Sequence, residues 1–591
     1  MSSSRRKRPF SFPILSKLIG PLGLPSRLLS GKKHDPLVVP AHSSVDSFTK
    51  APVDILIMIM QELDDRSLLN CSATCKALCS LVNTVTELRY TLVLAAEGAS
   101  RKRSDKSSIG ERLQRLLVRR ARWRALDWSH FEVLKIPRHG RRFHINYTNG
   151  VFFSTIPGGQ LDIATIFIFF PPNNGIVSPS IRIDDFSLPQ DAPLGNYLSP
   201  PAPNLDMNSV DDLFVHPALD LLILLKTGSH PPEHLSYDLH LRSLKSAGRL
   251  VHPRCTFAII HDTFPETSDG THGAMIRVLG DLVALQAVSG FNKYVCVWNW
   301  TTGEKLAQAH DDTPFNIRDL TFIPSDILIA SVSSHDGRSA MIWIYSLKDG
   351  LITSQFDTVP LMRPLVLHLP TFSDQGMTLV SMTCTTDNPA EYSWDGPHSP
   401  MPPAVAFNLR TTRPDVRFGV FDTLWTLMVM RGSSFSSLMQ TYASGTRARR
   451  TGPLAWEEWG PIHTRLFAPK VMDWPCWVRP ILGMISNGRI VVPPETTAPI
   501  NELGPLELVD FHVGRYKPHE LVSTPSTISS PLFKHSVTSS LPYYTTPIPD
   551  HTRMQVPRFG DFILGDDCLM NCPSMVMRPD DDHFTVHVYQ L

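Results

Sequence analysis

The chain has 591 residues, 42% of them hydrophobic and 19% charged, and this length allows more than one domain with a substantial core. Its formal net charge of +1 gives the whole molecule no bulk electrostatic attraction to nucleic acid or to an acidic membrane, so we expect neither as a partner. Proline outnumbers glycine by 51 to 33, which disfavours long helices and suits many short strands joined by loops.

The cysteine content predicts a reducing compartment. The nine cysteines are an odd number and are scattered irregularly, which indicates free thiols. The longest apolar run, near Ile163–Phe170, is too short to cross a bilayer, and no apolar signal segment opens the sequence. We therefore expect a protein of the cytoplasm, the nucleus or both.

Residues 1–49 are predicted to be a disordered basic tail. No acidic residue lies between Met1 and His34, and Arg5–Arg8 form a basic cluster that could be a nuclear import signal. The acid-free composition is also similar to that of a mitochondrial presequence, but Pro9 and Pro13 would break the amphipathic helix that a presequence needs. A solvated tail is the interpretation that we favour.

Residues 50–98 are predicted to be a helical domain. Pro52 suits a first helical turn, and Asp54 in that turn favours the positive end of the helix dipole. Asp64 or Asp65 can cap a second helix. The first helix is apolar nearly all round, so at least one of its faces needs a partner. The apolar stripe with helical spacing consists of Ile55, Met58, Ile59 and Leu63.

This segment resembles an F-box. The matching elements are Ala51-Pro52, Asp54-Ile55-Leu56, Leu63, Asp64-Asp65, Leu68-Leu69 and Thr74-Cys75-Lys76. Ala51 stands where the family has Leu, and Cys79 stands where many members have Trp, and both changes shrink the apolar contact surface. The resemblance implies docking onto the Skp-type adaptor of a cullin-based, SCF-type ubiquitin ligase. The alternative is an ordinary helical hairpin packed inside the protein. The adaptor contacts that the resemblance implies are Pro52, Ile55, Leu56, Ile59, Leu63, Leu68 and Leu69.

Residues 99–139 are predicted to be a basic linker with one helix. Its arginines interleave with leucines and with Trp123 over 111–128. Such a helix could bind nucleic acid, or its Leu and Trp side could dock on the next domain while the arginines face solvent. We favour the second interpretation because the overall charge is near neutral.

Residues 140–591 are predicted to form a β-propeller-like domain. Asp281 and Trp298 are 17 positions apart (298 − 281), as are Asp326 and Trp343 (343 − 326), and the second pair follows the first by 45 positions (326 − 281). This offset is typical of one four-stranded blade of a WD-type propeller, and the length predicts about seven blades. Looser copies begin at Asp220 and at Gly560. We also expect the terminal strand, 584–591, to lie in the same blade as 143–153 or in an adjacent blade, where the two segments would help to close the ring.

The fold class is therefore mainly β, with an N-terminal helical part. The combination resembles fungal, basidiomycete-type F-box proteins that carry a divergent WD-like propeller behind the F-box. The residues that carry this second resemblance are Asp220–Leu225, His240–Leu244, Val297–Gly303, Trp456–Pro461 and Thr464-Arg465.

No sequence pattern predicts catalysis, a cofactor or a metal. Cys71, Cys75 and Cys79 recur every four residues, but we interpret them as core packing. A zinc set drawn from Cys568, Cys572, Asp580–Asp582 and His583 lacks the tight paired spacing of a structural site. The chain contains no Walker, dinucleotide, HExxH or GxSxG motif.

We therefore interpret the chain as a non-catalytic adaptor subunit of a ubiquitin ligase that presents a protein substrate. A propeller scaffold without a ligase is the alternative, and a propeller enzyme is a more distant one.

Overall fold

The two compact units of the chain are residues 1–58 and 59–591. The first is described only from residue 51, so the predicted basic tail, residues 1–49, lies outside the described residues. No helix in the described part of the chain is long and apolar enough to span a membrane. The computed structural model describes residues 51–97, 107–128, 130–137, 144–148, 151–157, 163–169, 180–183, 210–230, 234–265, 272–289, 292–311, 315–324, 326–347, 364–373, 378–386, 404–414, 421–444, 452–467, 470–472, 485–486, 488–492, 507–513, 516, 518–530, 532–548, 560–565, 568–573 and 583–590.

The N-terminal helices form where the sequence predicts them. Asp64 caps the second helix, since its side chain accepts a hydrogen bond of 2.7 Å from the backbone N–H of Ser67. This bond also lowers the pKa of the Asp64 carboxyl. Ser108 and Glu111 form a reciprocal capping box at the start of the fifth helix. The helices are α1 (Val53–Gln61), α2 (Asp65–Thr74), α3 (Lys76–Thr84), α4 (Thr86–Ala96) and α5 (Ile109–Ala125).

Helix α5 packs against the β region through one side. Trp123 is 3% exposed and shares a core cluster with Leu569 and Tyr589, whereas Arg115 and Arg122 are exposed. The apolar side of the helix is therefore docked, but Arg120 is half-buried and paired with Glu97, so the expectation that the arginines face solvent is wrong for this residue. The strands begin earlier than the predicted boundary at residue 140, because 130–137 is already a strand.

Four antiparallel sheets each contain four strands that are consecutive in the chain. Their strands are β2 (His144–Thr148), β3 (Val151–Pro157), β4 (Ile163–Phe169) and β5 (Ser180–Ile183); β6 (Asp212–His216), β7 (Leu221–His230), β8 (His234–Ser243) and β9 (Ile259–Pro265); β10 (His272–Leu279), β11 (Leu282–Ser289), β12 (Asn292–Asn299) and β13 (Glu304–Asp311); and β14 (Phe315–Ile323), β15 (Ile327–Ser334), β16 (Ala340–Ser346) and β17 (Leu365–His368).

The later strands form a five-stranded sheet, a three-stranded sheet and a hairpin. Two helices, α6 (Gly432–Ser444) and α7 (Trp456–His463), separate the third and fourth strands of the five-stranded sheet. That sheet contains β18 (Thr378–Thr386), β19 (Ala404–Pro414), β20 (Phe421–Arg431), β21 (Thr464–Leu466) and β22 (Lys470–Met472). The three-stranded sheet contains β23 (Arg489–Val492), β24 (Glu507–Asp510) and β27 (Tyr544–Pro547), and the hairpin contains β25 (Ser526–Ile528) and β26 (Val537–Ser539).

The last sheet joins the two ends of the β region. Its order is β1 (His130–Pro137), β30 (His583–Gln590), β29 (Cys568–Pro573) and β28 (Gly560–Leu564). The terminal strand is therefore paired on both edges, with His130 opposite Gln590. Residues 144–148 and 151–157, which we expected in the same or an adjacent blade as the terminal strand, lie in the β2–β5 sheet, so the two segments are in different sheets. The earlier strand β1 is the one that pairs with β30.

The predicted repeat corresponds to a repeated turn. Asp220, Asp281 and Asp326 each lie directly before the second strand of a sheet. In each case the backbone carbonyl of the Asp accepts a hydrogen bond of 2.8–2.9 Å from the residue that follows the third strand: Leu244, Trp300 or Leu347. Asp220 and Asp326 adopt positive φ angles of 58° and 65°, which Asp tolerates better than most residues.

Hydrogen bonds also connect the first strands of successive sheets. Asp319 on β14 accepts a bond from Arg277 on β10 at 2.5 Å and another from the backbone N–H of Cys384 on β18 at 3.0 Å. Asp319 is 3% exposed. One buried carboxylate thus joins three sheets through their first strands.

Helix α7 explains the Trp456–Pro461 motif structurally. The Trp459 indole N–H donates to the carbonyl of His368, the last residue of β17, at 3.1 Å, and Trp459 is fully buried. A Cβ at Gly460 would lie 2.3 Å from the Trp456 ring, so this position requires glycine. The Ser540 hydroxyl donates to the carbonyl of Pro461 at 2.8 Å. The motif therefore connects β17 with the segment that follows β26 through hydrogen bonds.

Candidate functional site

Helix α1 has one buried and one exposed apolar side. Leu56 and Met60, four positions apart, are 5% and 1% exposed. Ile55 and Met58, three positions apart on the opposite side, are 46% and 63% exposed. Val53, the first residue of the helix, is 58% exposed but lies on the same side as Leu56 and Met60. Large apolar side chains that remain in water on one helix face are typical of a surface that is covered by a partner.

Helix α2 shows the same contrast in two adjacent residues. Leu68 is fully buried, whereas Leu69 is 53% exposed. Neighbouring positions on a helix point about 100° apart, so one leucine can face the interior while the next faces solvent. Leu68 stabilises the fold, and Leu69 is available for contact.

The seven predicted adaptor contacts fall into three groups. Leu56 and Leu68 are buried, so both belong to the interior and offer no contact surface. Two further exposed apolar residues, Val53 and Met58, are not among the seven, although the apolar stripe predicted from the sequence includes Met58. An all-round apolar helix does not indicate which of its sides is covered internally. The other five predicted contacts divide into exposed Pro52, Ile55 and Leu69, and half-buried Ile59 and Leu63.

The three regularly spaced cysteines do not form one helical face. Cys75 lies between α2 and α3, where the backbone is extended with φ of −155° and ψ of 160°. Cys71 is half-buried, and burial raises the pKa of its thiol. Cys79 is exposed, so the expectation of buried core packing is wrong for this residue. The break between the two helices is the physical reason.

The cysteine and histidine of the last sheet, whose spacing in the sequence argues against a zinc set, do not converge in the structure. Cys568 lies opposite Gln590 in the β29–β30 register, at the other end of β30 from His583. Seven residues of strand separate these two ends, which is about 23 Å. Of the other members of this set, Cys572 lies opposite Asp561 in the β28–β29 register, and Asp580–Asp582 lie outside the described residues. Within the described ranges, no group of three or more His, Cys, Asp or Glu residues could hold a metal ion.

Two buried histidines in the β region are neutral at physiological pH. Burial lowers the pKa of His216 to about 4. Burial, and then the charge of Arg242, lower the pKa of His240 to about 4. The two side chains are 3% and 5% exposed, so they are part of the packed interior.

Comparison with known proteins identifies one family match. Residues 52–95 match the F-box-like family, which covers α1 to α4 almost completely. An F-box-like domain of this kind suggests in general a role in substrate recognition within SCF-type ligases, and it fits a non-catalytic subunit. No curated protein matches the sequence.

Solved structures show only distant similarity. The CNH domain of AfRom2 has 10% identity and a TM-score of 0.28, with 78% of this chain and 99% of that chain covered. The uncharacterized protein lmo1340 from Listeria monocytogenes EGD-e has 8% identity and a TM-score of 0.25, with 51% of this chain and 82% of that chain covered. These scores do not assign the fold.

Proposed function

We propose that the chain is the substrate-recognition subunit of an SCF-type ubiquitin ligase. The F-box-like domain binds a Skp-type adaptor, and the β region binds a protein substrate. The subunit performs no bond chemistry itself: it raises the local concentration of the ubiquitin acceptor near the donor. It would act in the cytoplasm or the nucleus.

The observation that carries this proposal is the exposed apolar side of α1 inside the family match. Ile55 and Met58 lie within 52–95 and remain in water in the isolated chain. A few buried apolar side chains usually dominate the affinity of a protein interface. A bound partner would remove these apolar side chains from water, and this burial would favour binding.

We propose that the β region is a WD-like propeller of about seven blades, of the fungal F-box type. Four four-stranded sheets of consecutive strands support this arrangement. The pairing of β1 with β30 is the contact that ring closure needs, because it joins the start and the end of the region in one sheet. The bonds from Asp319 to Arg277 and Cys384 support first strands that line a common axis.

The test is adaptor binding by the full chain after Ile55→Asp and Met58→Asp are introduced together. Burying two carboxylates without partners in the interface costs several kcal/mol, so we expect co-purification of a Skp-type adaptor to be lost. Both side chains are exposed in the free chain, so thermal unfolding of the variant should match that of the wild type.

The matched control is Val118→Asp with Ile462→Asp. These residues are 40% and 72% exposed on α5 and α7, outside the family match. The control should retain the adaptor. Retention of the adaptor by both double variants would refute this face of α1 as the adaptor interface. Failure of the wild type to bind the adaptor would leave the chain as a scaffold without a ligase.

A further inference from the structure

A buried ionic cluster joins the end of the F-box-like domain to the β region. Glu97 directly follows α4, and Arg120 on α5 donates to Glu97 Oε1 from its Nε at 2.6 Å. Arg489 on β23 places Nη2 4.0 Å from Glu97 Oε2 and Nε 3.1 Å from Asp510 Oδ2 on β24. We call these four residues the junction cluster.

The junction cluster is almost dry. The side chains of Glu97, Arg489 and Asp510 are 2%, 2% and 1% exposed, and only Arg120, at 21%, reaches solvent. Ion pairs removed from water persist only with good geometry and further hydrogen bonds. Asp510 has such bonds, since it accepts from the Tyr516 hydroxyl at 2.9 Å and from the His512 backbone N–H at 2.8 Å.

An aromatic contact fixes the same arginine from a second side. The Arg489 guanidinium lies 4.5 Å from the centroid of the Trp123 ring on α5. Trp123 also packs edge-on against Trp128, at 6.0 Å between ring centroids. A planar guanidinium that is both stacked on a ring and paired with carboxylates restricts the orientation of its neighbours. A flexible lysine ammonium at the same place would restrict them less.

These contacts restrain α4 and α5 against β23 and β24 by charge, hydrogen bonding and packing together. We propose that the junction cluster is a positioning device that fixes the direction of the helix leaving the F-box-like domain relative to the β region. This inference rests on the proposed function, in which the two parts hold the ligase and the substrate. In that role, the orientation of the two parts relative to each other decides whether a bound acceptor reaches the donor.

The test measures one distance in the full chain by single-molecule energy transfer. Fluorophores are placed through unnatural amino acids at Ser80 on α3 and Lys245 after β8, both of which are exposed. The wild type should give one narrow distance distribution. Arg120→Ala and Glu97→Gln should each broaden it or add a second population, whereas Arg120→Lys, which keeps the charge, should restore the narrow form.

The control is Arg254→Ala, which removes an arginine–carboxylate pair with Asp281 inside the β region and should leave the distribution narrow. Narrow distributions in Arg120→Ala and Glu97→Gln would overturn the proposal. Global unfolding of Arg120→Ala would also overturn it, because the cluster would then be a folding element. Titration with a purified Skp-type adaptor separates the two proposals: failure of the wild type to bind refutes the proposed function, whatever the distances are.

Discussion

The buried carboxylate of Asp319 offers a quantitative test of how the sheets are joined. Asp319→Asn keeps the shape of the side chain but removes its charge. Arg277, which lies 2.5 Å from Asp319, would then face a neutral side chain. One of the two backbone N–H donors, that of Leu320 or that of Cys384, would face the NH₂ group of Asn, which cannot accept a hydrogen bond. The substitution therefore weakens the ion pair and removes one of the two backbone hydrogen bonds at one buried point.

The expected loss follows from the type of interaction. Removing one partner of a buried ion pair costs about 3–5 kcal/mol because the other charge stays buried without compensation. The side chain of Asp319 is 4% exposed, but that of Arg277 is 32% exposed, so solvent screens part of the charge that remains and we expect the lower end of this range. If the free energy of unfolding falls by about 3 kcal/mol per molar urea, the unfolding midpoint should fall by about 1 M.

The assay is urea unfolding followed by tryptophan fluorescence, and Asp336→Asn is the control. Asp336 is 61% exposed, with local partners Ser334 and Arg338, so its substitution should change stability by no more than about 0.5 kcal/mol. If Asp319→Asn shifts the midpoint no more than Asp336→Asn does, the carboxylate does not join the sheets as we infer.

Three further predictions follow from burial. Leu68→Ala should destabilise the helical domain by about 2–5 kcal/mol, whereas Leu69→Ala should leave its melting unchanged and weaken adaptor binding in a pull-down. Because His216 and His240 have folded pKa values of about 4 against 6.5, the unfolded chain binds protons that the folded chain does not. Stability should therefore fall as the pH drops from 6.5 to 4, by about 3 kcal/mol per histidine, and a His216→Gln, His240→Gln variant should lose that slope in urea titrations. Deleting 583–591 should lower the melting temperature of the whole β region, because β30 pairs with both β1 and β29, and unchanged hydrogen exchange in β1 would contradict this.

Local sequence patterns predicted the positions of strands better than they predicted which strands pair. The spacing of Asp281 and Trp298, and of Asp326 and Trp343, located the second and third strands of two sheets, since turn and strand signals are local in sequence. The pairing of His130–Pro137 with the terminal strand joins segments more than 400 residues apart. No pattern within either segment indicates that the other is its partner.

The candidate site was predictable as a segment but not as a surface. The order of apolar and acidic residues from Pro52 to Leu69 located the helices and matches the family. Whether Leu56 or Met58 faces solvent depends on what packs beside α1, and both positions are equally apolar in sequence. The junction cluster could not be predicted for the same reason, because Glu97, Arg120 and Arg489 meet only in the folded chain.

Amide hydrogen exchange of the full chain with and without a purified Skp-type adaptor tests the central claim most directly. We predict slower exchange on binding within 53–61 and 65–74, the two helices that carry Ile55, Met58 and Leu69, and no change in the strands of the β region. Absence of added protection in both helices, or protection confined to the β region, would contradict the account.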